Sequence, residues 1–204
     1  LPLAGKPIIE HHLERLKSFG MNHFFLSVNY LAERIQSYFH DGHRLGAQLT
    51  FVHEADAMGT IGSVSLIENW QHEFVLIANS DLLTNVDYEQ WFSDFIDSKH
   101  DLSVLTIPYM VDVPYAILET EHDAVKSFRE KPTYTYEANG GMYLIRRKWL
   151  SEIPNGHFDA TDLIQKMIDT GANVGIHRHQ GYWLDIGRHE DYVRAQRDIE
   201  NLSF

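Results

Sequence analysis

Val75-Leu76-Ile77-Ala78-Asn79-Ser80-Asp81 is the stretch from which the rest of the chain takes its meaning. A short unbroken apolar run rich in β-formers, closed by polar residues, fits a fully buried strand of a parallel sheet. It stops on a polar corner carrying the carboxylate of Asp81, and Leu82-Leu83-Thr84-Asn85 follows. In open α/β sheets, ligands lie beyond the carboxyl ends of the strands. A carboxylate fixed there by a rigid strand suits a hard cation such as Mg²⁺. An Asp that merely caps a turn fits the same seven residues.

Upstream, Pro7 suits the first turn of a helix, and Ile8, Ile9, Leu13, Leu16 and Phe19 recur at near-helical spacing up to Gly20. Phe24–Asn29 and Leu49–Val52 read as strands, with a short helix marked by Leu31, Ile35 and Phe39 between them. A loop holding Gly59 and Gly62 leads into a helix expected to carry Val64, Ile67 and Trp70. Beyond Asp81, Tyr88, Trp91, Phe92, Phe95 and Ile96 mark another helix. Alternating strands and helices predict an α/β fold: a doubly wound, mostly parallel Rossmann-like sheet with helices on both faces. After Leu102–Tyr109 the rhythm changes, with strands at Tyr115–Thr120, Ala124–Arg129 and Gly141–Arg146 and few helices between them. That is a mixed sheet or a small antiparallel insertion over the crevice. A helix near Thr161–Ile168, a strand at Asn173–His179 and a charged helix from about Glu190 to Asn201 complete one domain, residues 1–204.

The composition is that of a globular protein, and the formal net charge of −12 opposes a nucleic-acid partner held by a basic face. Small phosphorylated ligands need only a few well-placed cations. With no Cys there is no disulfide framework or thiolate metal site. No apolar run is long enough for a membrane span and no signal peptide is visible, so the expected location is the cytoplasm. Asn201-Leu202-Ser203 fits a glycosylation acceptor, which carries no weight without a secretory signal. Leu1-Pro2-Leu3 opens without Met and in mid-pattern, as a fragment or excised domain would.

Polar residues gather at predicted strand ends in three further places. In Glu54-Ala55-Asp56-Ala57-Met58-Gly59-Thr60-Ile61-Gly62, the glycines would let backbone amides approach a base or phosphate; a strand-to-helix turn needing glycine is the plain alternative. Arg129-Glu130-Lys131-Pro132 precedes Glu137-Ala138-Asn139-Gly140-Gly141-Met142-Tyr143. There Lys131 could meet a phosphate while Glu130 and Asn139 meet sugar hydroxyls; a solvated turn is the competing view. In Gly181-Tyr182-Trp183-Leu184-Asp185-Ile186-Gly187, Asp185 stands in an apolar context and needs a partner, either a cation shared with Asp81 or a basic side chain. His177 and His179 share a strand face, yet neither they nor His11-His12 have a third ligand at a recognisable spacing. No Gly-x-Ser-x-Gly elbow or Gly-x-Gly-x-x-Gly loop occurs, which removes the usual hydrolase and dehydrogenase signatures.

In order, these segments resemble the sugar-1-phosphate nucleotidyltransferases, the nucleotide-sugar pyrophosphorylases. Leu1–Ile8 is similar to the segment after the family's nucleotide loop, and Met58-Gly59-Thr60-Ile61-Gly62 to its base-binding Leu-Gly-Thr-Ala-Gly. Asn79-Ser80-Asp81 stands where the family has Gly-Asp, its first magnesium ligand. Pro114-Tyr115-Ala116 resembles Pro-Tyr-Gly, Glu130-Lys131-Pro132 resembles Glu-Lys-Pro, and Asn139-Gly140-Gly141-Met142-Tyr143 resembles Asn-x-Gly-Ile-Tyr. Trp183-Leu184-Asp185-Ile186-Gly187 resembles Trp-x-Asp-Ile-Gly, whose Asp is the second magnesium ligand. The likeness is greatest to the mannose-1-phosphate guanylyltransferase-like group, some members of which are fused behind regulatory domains.

The resemblance implies transfer of a nucleotidyl group from a nucleoside triphosphate, GTP favoured, to a sugar 1-phosphate. The products are pyrophosphate and a nucleotide sugar of the kind used in polysaccharide biosynthesis. It implies Mg²⁺ on Asp81 and Asp185, the sugar phosphate on Lys131, the sugar ring on Glu130 and Asn139, and the base on the Gly59, Thr60 and Gly62 loop. Tyr115, Ala116 and Gly141 complete the implied substrate contacts. Residues 1–204 contain neither the family's Gly-rich loop, with its Arg and catalytic Lys, nor its first strand. A gap in the sheet and weak or absent turnover by this piece alone are therefore expected. Ser80 and Ala116 replace glycines, and Arg188-His189 replaces Thr-Pro. The missing loop and the Ser80 and Ala116 replacements support the alternative of a catalytically idle domain that binds a nucleotide sugar or a partner in a regulatory role. A homo-oligomer and a fused upstream regulatory domain are both compatible with the sequence.

Overall fold

The computed structural model describes residues 1–202; Ser203 of the acceptor tripeptide lies outside them. Helix α1 (Ile8–Ser18) begins after Pro7, and the chain leaves it through Gly20 in the left-handed region. Strands β3 (His23–Val28) and β4 (Gln48–His53) pair in parallel around helix α2 (Ala32–Phe39); β1 (Pro2–Leu3) and β2 (Lys6–Pro7) form a short ladder before α1.

The main sheet has the order β11-β7-β10-β5. Its strands are β5 (Phe74–Ala78), β7 (Leu102–Asp112), β10 (Thr133–Arg146) and β11 (Val174–Arg178). Strand β11 runs parallel to β7, whereas β10 is antiparallel to both neighbours. This is the mixed sheet among the sequence's alternatives. Side chains alternate across it as strand geometry requires. Phe74, Leu76 and Ala78, with Met142, Leu144 and Leu105, face the cluster containing Leu13, Leu16, Trp91 and Phe95. Val75, Ile77, Tyr143, Ile145, Leu102 and Val104 face the opposite cluster, which contains Leu163 and Met167. Thus α1 and α3 (Tyr88–Asp97) cover one face and α4 (Ala160–Asp169) the other. A third cluster joins Leu3 and Ile8 to β6 (Leu82–Thr84), β12 (Trp183–Asp185) and Ala195 of helix α5 (His189–Asp198).

Two expectations change. Strand β5 is half-buried along its whole length rather than fully buried. It pairs with β10 on one edge only, and its other edge faces a cavity of about 720 Å³ whose far wall is β3. The helix expected over Val64–Trp70 is one short 3₁₀ segment, Gly62–Leu66. There the Ser65 hydroxyl donates to the Gly62 carbonyl at 2.7 Å, and such back-bonding competes with the helical ladder. The antiparallel insertion is present as a long arm. Beyond Ile107, β7 and the start of β10 extend together with exposed side chains, and the hairpin β8 (Ile117–Glu121) and β9 (Ala124–Arg129) continues from them.

Candidate active site

Strand β5 ends at Ala78, and the turn that follows is fastened to β10, where the Asn79 amide donates to the Gly141 carbonyl at 2.9 Å. The β7–β10 register shifts between Asn139 and Tyr143. Gly141 adopts φ +73° in this bulge, and a Cβ there would stand 2.7 Å from Asn79 Nδ2. A glycine is therefore required both by the backbone and by the close approach of Asn79. Asn139 shapes the same bulge: its Oδ1 accepts from the Gly141 amide at 2.9 Å and its Nδ2 donates to Tyr143 Oη at 2.8 Å.

Two residues after Asn79, Asp81 meets the second carboxylate. Strands β6 and β12 pair with Leu82 opposite Asp185, and the Ile186 amide donates to the Asp81 carbonyl at 3.0 Å. Asp81 and Asp185 thus lie side by side on two neighbouring segments of the β6–β12 ladder, both half-buried. Burial raises the Asp185 carboxyl above its ordinary range, and the charges of Asp81 and Asp191 push it further in the same direction. No basic side chain forms an ion pair with either among the described residues. Trp183 braces β12 against the bulge by donating its Nε1 to the Gly140 carbonyl at 3.0 Å.

Uncompensated like charges at a strand end fit a divalent cation. No group of three or more His, Cys, Asp or Glu side chains suited to a metal occurs among the described residues, and His177 and His179 do not build one. Two carboxylates with sites left for phosphate oxygens and water match the way Mg²⁺ is usually held. The donor set present therefore fits Mg²⁺.

The loop Met58–Gly62 sits on the segment before α4. Phe158 donates its amide to the Met58 carbonyl (2.9 Å) and accepts from Ile61 (3.2 Å). Asp159 Oδ1 accepts from the Thr60 amide (2.9 Å), and Thr60 Oγ1 accepts from the Ala160 amide (2.8 Å). A Cβ on Gly59 would lie 2.7 Å from the Phe158 carbonyl oxygen, and one on Gly62 would collide with that of Gly156. The approaching group that excludes side chains here is the chain's own backbone. Asp159, whose charge also raises the Tyr143 phenol after the larger effect of burial, adjoins the bulge. Sequence reasoning missed Asp159 and Asn79. Asp159-Ala160-Thr161-Asp162 carries a helix-start signal, and the structure confirms the capping box, but nothing local ties it to Thr60.

Tyr115, Ala116, Glu130 and Lys131 form a separate group. The last ladder pair of the β8–β9 hairpin is Ile117 with Arg129, so these four meet at its open end, all exposed. Lys131 has φ +42°, and neither it nor Glu130 makes a side-chain hydrogen bond or ion pair among the described residues. The paired stretch Thr133–Asn139 lies between this group and the bulge, roughly 20 Å along the strand at the usual rise. The structure brings Asp81, Asp185, Asn139 and Gly141 together. Tyr115, Ala116, Glu130 and Lys131 sit at the joint between the β7–β10 ladder and the β8–β9 hairpin.

A wound α/β domain with paired carboxylates at a strand end defines a ligand-binding domain of the Rossmann-like class. The model of the nucleotidyl transferase family matches residues 1–201. The chain belongs to that family. It is similar to a UTP–glucose-1-phosphate uridylyltransferase from Synechocystis sp., with 27% identity over 98% of this chain and 57% of that protein. It is likewise similar to a mannose-1-phosphate guanylyltransferase from Mycobacterium tuberculosis, with 26% identity over 98% and 57%. The chain therefore spans just over half the length of these relatives. The crystal structure of HddC from Yersinia pseudotuberculosis shares the fold, with a TM-score of 0.75 at 24% identity over 98% of this chain and 88% of that one. No helix among the described residues is long and apolar enough to cross a membrane.

Proposed function

We propose that the protein containing this domain transfers a nucleotidyl group from a nucleoside triphosphate to a sugar 1-phosphate, releasing pyrophosphate. The adjacency of Asp81 and Asp185 at the end of β5 carries this reading. Such transfer asks for positioning and charge neutralisation more than for proton transfer. When bound, Mg²⁺ would offset the repulsion between the phosphates of the two substrates. The carboxylates of Asp81 and Asp185 would hold it, and the β6–β12 ladder sets their backbones side by side. The Gly59–Gly62 loop offers its outer edge to the base, Glu130 and Asn139 serve the sugar, and Lys131 serves its phosphate. GTP is the favoured donor on the resemblance to the guanylyltransferase-like group, and UTP is the alternative suggested by the name of the uridylyltransferase relative. The cavity between β3 and β5 supports a strand from outside these residues as the missing centre of the sheet, because each flanking strand has one unpaired edge there. Residues 1–204 alone are then slow or inactive.

The exposure of Lys131, which makes no ion pair among the described residues, favours a second reading, a domain that binds a nucleotide sugar without turnover. Pyrophosphate release by the full-length protein, over a panel of triphosphates and sugar 1-phosphates with Mg²⁺, separates the two. Asp81→Asn should lower kcat by about 10²-fold or more, as loss of a principal charge-stabilising group does. Asp185→Asn should match it, and the double variant should fall far short of additivity. Near wild-type turnover by either single variant would remove the metal role.

A further inference from the structure

We propose that Asn85 is a positioning residue: it locks the register of β12 against β6, and through that register places Asp185 beside Asp81. The proposal rests on the nucleotidyl-transfer reading and adds to it a residue that acts through the second carboxylate.

Strands β6 and β12 have three residues each and pair only with one another. So short a two-stranded ladder is weakly held by its own backbone bonds. Its register nevertheless decides where Asp185 goes. Leu82 and Trp183 pack in the cluster that contains Trp91, whereas Leu83, Leu184 and Ile186 pack in the cluster around Leu3. A slip of one residue would turn Asp185 to the side that Leu184 now buries, and a slip of two would carry it about 7 Å along β6. The Ile186 amide closes one end of the ladder on the Asp81 carbonyl, a backbone bond that carries no side-chain preference.

The other end is closed by a side chain. In this register Asn85 stands opposite Tyr182 at a hydrogen-bonding position, where two residues ordinarily exchange two backbone bonds. Here the Asn85 amide donates to the Tyr182 carbonyl at 3.1 Å, but the Tyr182 amide donates to Asn85 Oδ1 at 2.8 Å. The side chain thus stands in for its own carbonyl, which instead accepts from Arg15 of α1 at 3.2 Å. The same Arg15 nitrogen donates to the Val86 carbonyl at 2.9 Å, so α1 holds the chain after β6 just where Asn85 holds β12. Neighbouring side chains converge on Tyr182: Thr84 Oγ1 donates to its carbonyl at 2.9 Å, and Nε2 of buried His179 lies 3.1 Å from that oxygen. The fit is close, since a Cβ on Gly181 would collide with Asn85 Oδ1.

The test uses the full-length protein and two substitutions at this exposed position. Asn85→Ala removes the side-chain acceptor; Asn85→Asp keeps an oxygen able to accept from the Tyr182 amide. Amide hydrogen exchange in the metal-free protein should quicken about tenfold over residues 182–186 in Asn85→Ala, with the β10 amides of residues 142–145 unchanged. In the pyrophosphate assay kcat should fall about tenfold with KM for the triphosphate within about twofold, the mark of a misplaced rather than a lost binding group. Asn85→Asp should recover both. Unchanged exchange over residues 182–186, equal acceleration in β10, unchanged kcat despite faster exchange, or an Asp variant no better than Ala would overturn the proposal. If Asn85→Ala does not fold, Thr84→Val serves instead, with exchange over residues 182–186 rising about threefold through loss of the hydroxyl bond to Tyr182; no rise overturns it. A wild-type protein that releases no pyrophosphate defeats the functional reading, while the exchange result still decides whether Asn85 sets the register.

Discussion

Acid should destabilise this domain in a window set by His12. Its imidazole is held at about 4 in the folded chain against 6.5 unfolded, because burial disfavours the charged form. Above pH 6.5 both states are neutral at this residue and the full stability is present. As pH falls below 6.5 the unfolded chain takes up a proton that the folded chain refuses, so stability drops until the folded group titrates near 4. At 1.36 kcal/mol per unit the complete effect is roughly 3 kcal/mol, of which about 2 kcal/mol is spent between about pH 7 and pH 5. That is a large share of an ordinary domain stability of about 5–15 kcal/mol. Burial also lowers the His177 imidazole, with the Asp94 carboxylate opposing, so some slope in this window belongs to it. The lowered carboxyls of Glu137 and Asp159 act below their unfolded values, further into the acid. The assay is urea denaturation of wild type and His12→Gln at several pH values, read as the difference between the two curves. The wild-type slope should exceed the variant's by the amount given. Parallel curves, or a His12 ring titrating near 6.5 in an NMR pH series, would refute the reasoning.

Gly62→Ala should cost about 1–3 kcal/mol in denaturant unfolding, since the new methyl meets the Gly156 carbonyl, Met58 and Phe158. Gly20→Ala, with open space around its Cβ but φ +86°, should cost about 1–2 kcal/mol through the backbone alone. A Gly62 variant as stable as wild type would show that the loop does not rest on the segment before α4. Trp91 is 1% exposed and donates its Nε1 to buried Ser103 at 2.9 Å, so Trp91→Ala should cost about 3–5 kcal/mol by the same measurement. A loss under about 1 kcal/mol would mean that the face under α3 closes over the deletion.

How far the sequence could be read depended on how local each determinant is. The polar corner after β5 that carries Asp81 and the Trp183–Gly187 motif are written in a few consecutive residues, and both are legible. Their meeting was legible only through chemistry, two carboxylates that each want a counter-charge, because the β6–β12 pairing that joins them has no local signature. The sequence predicts a strand only from Gly141, whereas β10 spans Thr133–Arg146. Gly140-Gly141 looks like a break, yet a residue at φ +73° lets the strand bulge and continue, and Asn79 fills the space where its side chain would be. The glycines of the Met58–Gly62 loop were recognised as permitting close approach, but the approaching group is the backbone at Gly156 and Phe158. A spacing rule cannot tell a ligand from a distant stretch of the same chain. His12 shows the same limit from the other side: a histidine paired with His11 and lacking a third ligand reads as a surface residue. Only the packing of α1 against Tyr88 turns it into a buried, neutral group. The local pattern thus fixed where a strand stops and which charge it presents. The contacts that hold that charge in place come from Gly141 of β10 and from Ile186 after β12, neither of which adjoins Asp81 in the chain.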